Sequence, residues 1–100
     1  MIHHIVLFSF DKLPEGTAKE VFLNEAKSAF EELGSLIGCL VELKAHININ
    51  QKEEYDLMLH GVLAHESDID VYAKHPEHVA RVMKYIKPYV AKRACVDIKD

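Results

Sequence analysis

The segment YAKHPEHVA, Tyr72 to Ala80, sets two histidines three residues apart around a proline, with a tyrosine three residues before the first. A neutral imidazole can take a proton from a carbon α to a carbonyl near neutral pH. A tyrosine hydroxyl can hold the oxygen on which charge then develops. His78 as base and Tyr72 as hydrogen-bond donor are the residues such chemistry would use. The plainer alternative is that His78 packs against a sheet with its nitrogens satisfied by backbone or water. Metal binding through His75 and His78 fits less well. A residue before proline is pushed out of helical geometry, so His75 is expected at an N-cap and His78 inside the next helix, their rings pointing apart. A zinc site would need two more ligands, and no cysteine or histidine stands at the usual spacing. No side-chain metal site and no cofactor are expected.

The remaining residues say which elements hold this segment. Residues 2 to 10 are β-branched and aromatic and read as a strand. Pro14, Gly16 and Thr17 make a turn, after which Val21, Phe22, Ala26, Ala29, Phe30 and Leu33 keep helical spacing to a stop at Gly34. A second strand follows Gly38, with Cys39, Val41, Leu43, Ala45, Ile47 and Ile49 alternating with Leu40, Glu42, Lys44, His46 and Asn48. A polar hairpin loop leads to a third strand over roughly 54 to 64. Ser67 and Asp70 stand at capping-box spacing and open a short helix through Tyr72. Pro76 begins another helix, with Val79, Val82, Met83 and Ile86 as its apolar face, and Pro88 breaks it. RACVDI closes the chain as a fourth strand. The order β-α-β-β-α-β predicts an α+β fold of ferredoxin-like type, an antiparallel sheet with helices on one side.

Composition excludes several function classes. One hundred residues, 49% of them hydrophobic, make one domain over residues 1–100 with a single core. A net charge of −4 lacks the basic footprint of a nucleic-acid binder. Protonating all seven histidines would move the charge from −4 to +3, so surface charge depends strongly on pH below about 6.5. No apolar run approaches the ~20 residues that span a bilayer, and no targeting segment is evident, so a cytoplasmic protein is expected. Cys39 and Cys95 would lie on opposite edges of the sheet, beyond the ~7 Å disulfide limit, and are expected as thiols. There is no Gly-rich phosphate loop or dinucleotide fingerprint. Arg81, Lys84 and Lys87 form a basic stripe expected to be a solvated face, and His46, His60 and His65 have no motif around them.

Alternation along the first strand sends His4, Val6 and Phe8 to one face and His3, Ile5 and Leu7 to the other. Helices can cover only one face, yet Ile5 and Leu7, joined by Leu40, Met58 and Val62, make the other apolar. Each large apolar side chain left in water forgoes roughly 1.5–3 kcal/mol. Five would rival the ~5–15 kcal/mol stability of a domain. The simplest cover is a second copy, giving a homodimer with its sheets face to face.

HIVLFSF at 4 to 10, YAKHPEHVA, and YIKPYVAKRACVDI at 85 to 98 together resemble the stress-responsive dimeric α/β-barrel (Dabb) family, in order and spacing across essentially the whole chain. The resemblance implies a ferredoxin-like subunit that pairs into a dimeric α/β barrel. Family members with known chemistry include a cofactor-free polyketide cyclase that uses a histidine base and a tyrosine partner. His78 and Tyr72 match those positions, and His4 matches a further pocket histidine. Where the cyclase has another pocket histidine, this chain has Leu57, which implies a more apolar pocket. The expected site is thus a cavity between sheet and helices, lined by His4, Phe8, Leu57, Tyr72 and His78, for a small apolar carbonyl or aromatic ligand. The second expectation, of a different class, is a non-enzymatic stress-associated dimer in which these residues only pack.

Overall fold

The structure, a computed structural model, describes residues 1–100. Four strands form one antiparallel sheet: β1 (Ile2–Phe10), β2 (Leu40–Ile47), β3 (Leu57–Leu63) and β4 (Val90–Lys99), in spatial order β2-β3-β1-β4. Helices α1 (Lys19–Glu31) and α2 (Leu33–Leu36) join β1 to β2, and α3 (Asp68–Lys74) and α4 (Pro76–Arg81) join β3 to β4. This is the ferredoxin-like α+β arrangement. β2 and β4 are its edges, and Cys39 and Cys95 are free thiols.

The core lies between the sheet and the helices. From β1 it takes Ile2, Val6, Phe8 and Phe10, and from α1 Phe22, Leu23, Ala26 and Phe30. These are alternate residues on the strand and residues three or four apart on the helix. Val21 falls off that stripe and is exposed. Gly16, at φ 78°, takes the left-handed conformation in the turn before α1, which a side chain would disfavour. Gly34 does not stop the helix. The chain stays helical through Leu36, because Leu33 is fully buried and holds the extra turn against the core. The exposed edge of β2 is partly closed by Glu31, whose carboxylate accepts from Ala45 N at 3.1 Å and from Lys27 Nζ at 2.9 Å.

Strict alternation fails at the start of β2. Leu40 pairs with Leu63, but Glu42 pairs with Val62, so Val41 is an extra residue on the β2 side. This bulge turns Leu40 to the helix side, where it is 4% exposed, and leaves Val41 55% exposed. Leu40 therefore belongs to the core and not to the open face. There it packs with Leu43 over Gly61, where a Cβ would meet Leu40 Cδ1 at 3.5 Å. The strand ends at Ile47, before Ile49.

The segment around Tyr72 folds from a different set of caps than its spacing suggests. Ser67 is already helical (φ −62°, ψ −20°) and makes no side-chain cap. Asp68 reaches back instead, its carboxylate accepting from His65 N at 3.2 Å. His75 behaves as expected. Its backbone is extended (ψ 133°), its Nδ1 accepts from Glu77 N at 3.1 Å, and Pro76 opens α4. His75→Ala should cost about 1 kcal/mol, the usual worth of an N-cap, read as a lower denaturant midpoint at unchanged slope.

Beyond Arg81 the helix widens into one π-helical turn, Val82–Ile86, closed by Lys87 N donating to Val82 O at 2.9 Å. The wider turn rotates the apolar stripe, burying Ile86 while Met83 stays exposed; Val79, in α4 before it, is exposed as well. Arg81 is no part of a solvated stripe. Its Nε donates to Ala29 O at 2.6 Å and its guanidinium meets Glu32 and Glu77, tying α4 to α1.

Candidate functional site

The helix layer is offset. α1 and α2 pack on β2, while β4 is exposed along most of its length. Side chains on the helix side of β1 and β4 therefore meet the end of the helix layer at a border open to solvent. His4, Tyr72 and His78 come together at this border.

Tyr72 points inward from α3 and is 2% exposed. Burial pushes its phenol well above the ordinary value of 10, so it is neutral and can donate a hydrogen bond. None of the side-chain hydrogen bonds involves its hydroxyl, yet no buried side-chain oxygen or nitrogen in the molecule lacks a partner. The hydroxyl oxygen therefore just touches solvent and has no protein partner, although the residue as a whole is 2% exposed.

His78 lies in the first turn of α4, half-buried, its ring 4.4 Å from that of Tyr72. Its Nδ1 is 2.9 Å from Ala73 O. A carbonyl oxygen only accepts, so Nδ1 carries the proton and Nε2 keeps its lone pair. Burial lowers the His78 pKa below 6.5. The Ala73 carbonyl pulls the other way, and charge on His4, Arg93 and His75 adds to the lowering. The outcome is a neutral imidazole of fixed tautomer, the form a general base needs.

His4 joins from β1, its ring 5.9 Å from Tyr72 and edge-on to it. Its partner across the β1–β4 ladder is Asp97, whose carboxylate is 2.5 Å from His4 Nδ1. Cys95 Sγ lies 3.8 Å from the same nitrogen. The sequence pointed to neither Asp97 nor Cys95, because the ladder register that sets them beside His4 joins residues about 90 positions apart.

Phe8 and Leu57 are placed elsewhere. They face each other across the β1–β3 ladder within the core, Phe8 roughly 13 Å along the strand from His4. Leu57 lines a 420 Å³ cavity with Leu7, His46, Tyr55 and Met58 at the other end of the sheet. None of the five principal surface cavities, of about 420 to 800 Å³, is lined by Tyr72, His78 or His4. In this conformation the three residues sit under a shallow border and not around a deep hollow.

The uncovered face of the sheet is apolar where β3, β1 and β4 meet. Ladder partners line up as Val62, His3 and Ile98, then His60, Ile5 and Val96, then Met58, Leu7 and Ala94. Val96 is 52% and Ile98 46% exposed. Within this face His3 Nδ1 and His60 Nε2 share a hydrogen bond of 2.9 Å. β2 borders it with Glu42, Lys44 and His46. No helix is long and apolar enough to cross a membrane.

The stress responsive A/B barrel domain (Dabb) family model matches residues 2–100. A dimeric protein of unknown function with a ferredoxin-like fold from Bacteroides fragilis is 31% identical, with 99% of this chain and 95% of that one covered at a TM-score of 0.84. A dimeric ferredoxin-like protein of unknown function from Thermobifida fusca is 23% identical, with 97% and 88% covered at a TM-score of 0.77. A hydroxynitrile lyase from Passiflora edulis shares the fold at 10% identity, with 97% and 90% covered at a TM-score of 0.75. Among curated proteins nothing matches the chain.

Proposed function

The chain belongs to the stress responsive A/B barrel domain family, and from that premise we propose that it works as a homodimer closed sheet to sheet. Each subunit binds a small apolar carbonyl or aromatic compound beside Tyr72 and His78 and moves a proton α to the carbonyl. The observation that carries this reading is the fixed state of His78. Its Nδ1 is held by Ala73 O, its Nε2 is free, and its ring lies 4.4 Å from a tyrosine whose hydroxyl has no protein partner. In that arrangement Nε2 accepts the α-proton, and the neutral phenol donates to the carbonyl oxygen as it becomes an enolate. Asp97 holds His4 at the side of the same space. The dimer rests on the apolar sheet face and on the dimeric relatives.

The test uses acetophenone, in deuterated buffer containing EDTA, with exchange of its methyl protons followed by proton NMR. Exchange above the buffer rate that falls in His78→Gln and in Tyr72→Phe supports proton transfer at this site. A second reading, a structural dimer without ligand chemistry, draws on the burial of Tyr72 and on the five principal cavities, which lie away from the pair. Exchange no faster than buffer alone would favour it.

A further inference from the structure

We propose that His4, Cys95 and Asp97 form a binding site for one divalent cation of zinc type, held through His4 Nδ1, Cys95 Sγ and a carboxylate oxygen of Asp97. The three donor atoms lie within 4.8 Å of one another. They come from two paired strands of the sheet, with His4 directly opposite Asp97 and Cys95 opposite Val6. Zinc bond lengths of ~2.0–2.3 Å place ligand atoms of a tetrahedral site about 3.3–3.6 Å apart. The His4 Nδ1 to Cys95 Sγ distance of 3.8 Å is already near that value. Asp97 is now hydrogen-bonded to His4 at 2.5 Å and has to swing out by about 1 Å. Its half-exposed side chain is free to do so.

The donor set selects the kind of ion. One imidazole nitrogen and one thiolate favour zinc or cobalt over magnesium and calcium, which prefer oxygen throughout. Thiolate and carboxylate bring two negative charges to the ion's two positive ones. Proton movements balance. The His4 proton moves from Nδ1 to Nε2, leaving the ring neutral, while the Cys95 thiol releases its proton to solvent, so each ion bound frees one proton. Three protein ligands leave a fourth position for water or a ligand atom. The site shares His4 and Asp97 with the border of the proposed pocket but uses neither His78 nor Tyr72 as a ligand.

The experiment is a titration of the reduced full-length protein with cobalt(II), followed by near-ultraviolet absorption, with zinc content measured after dialysis. Expected is one cobalt per chain with a sulfur-to-cobalt charge-transfer band. Cys95→Ser should abolish the band, Asp97→Asn should weaken binding at least about tenfold, and Cys39→Ser should leave both unchanged. No band in the unaltered protein, or a band that survives Cys95→Ser, overturns the site. Loss of methyl-proton exchange in EDTA would bear only on His78 and Tyr72, whereas the cobalt band reads only these three ligands.

Discussion

A chain carrying Ile5→Asp should run as a monomer in light scattering at micromolar concentration, where the unaltered chain should run as a dimer. Ile5 sits in the middle strand pair of the open face, with His60 on one side and Val96 on the other. When two sheets close on each other, a carboxylate there loses its water, and the one polar neighbour across the ladder, His60, already has its Nε2 hydrogen-bonded to His3. Leaving a charge uncompensated in an interface costs about 3–5 kcal/mol, and a two-fold axis imposes the cost twice. Every 1.4 kcal/mol is a factor of ten in dissociation, so the dissociation constant should rise at least about 10²-fold. The subunit's own core lies on the other face of the sheet and loses nothing directly. Val21→Asp on the exposed side of α1 serves as the control and should leave the dimer intact. An Ile5→Asp chain that still elutes and scatters as a dimer would place the contact between subunits on some other surface.

His78→Gln has the second large effect, on rate and on the pH dependence of stability. Loss of a general base lowers the rate of α-proton exchange by about 10²–10⁴-fold. Tyr72→Phe keeps the packing and removes one donor, which costs about 10²–10³-fold. Because burial lowers the His78 pKa below 6.5, its lone pair stays available at a pH where an ordinary histidine is charged. The acid limb of the rate profile should therefore lie below pH 6.5. The same shift has a stability consequence of definite sign. Between the folded pKa and 6.5 the unfolded chain binds more protons than the native one. The His78 contribution is thus complete above 6.5, falls as pH drops toward the folded value, and is flat below it. Chemical denaturation of His78→Gln between pH 7 and pH 5 should show a shallower loss than the unaltered chain. An equal loss would mean that His78 is solvated in the native state.

Much of this could be read from residue order, because local rules dominate where they go unopposed. The alternation in β1 gave its two faces, and Pro76 after His75 set an N-cap that the structure places with a 3.1 Å hydrogen bond. The apolar second face of the sheet was also legible, since the ferredoxin-like order puts both helices on one side. The errors came where tertiary packing outweighed local preference. Gly34 does not end its helix, because burial of Leu33 outweighs the helix-breaking tendency of one glycine. Leu40 changes face because a single bulged residue inverts an alternation of period two. Met83 is left in water within a π-helical turn, which shifts the phase of a stripe spaced for an α-helix.

The sequence by itself determined the element order, the break between α3 and α4, and the two-faced sheet. These follow from spacings of a few residues, where covalent geometry fixes which side chains are neighbours. Only the tertiary structure decided that Asp97 and Cys95 stand beside His4, and that Phe8 and Leu57 lie away from it. It also decided that Arg81 is anchored to α1, and that the helix layer stops short of β4. Those contacts join residues far apart in the chain. Their register is set by burial summed over whole strands and helices, which no short stretch of sequence encodes.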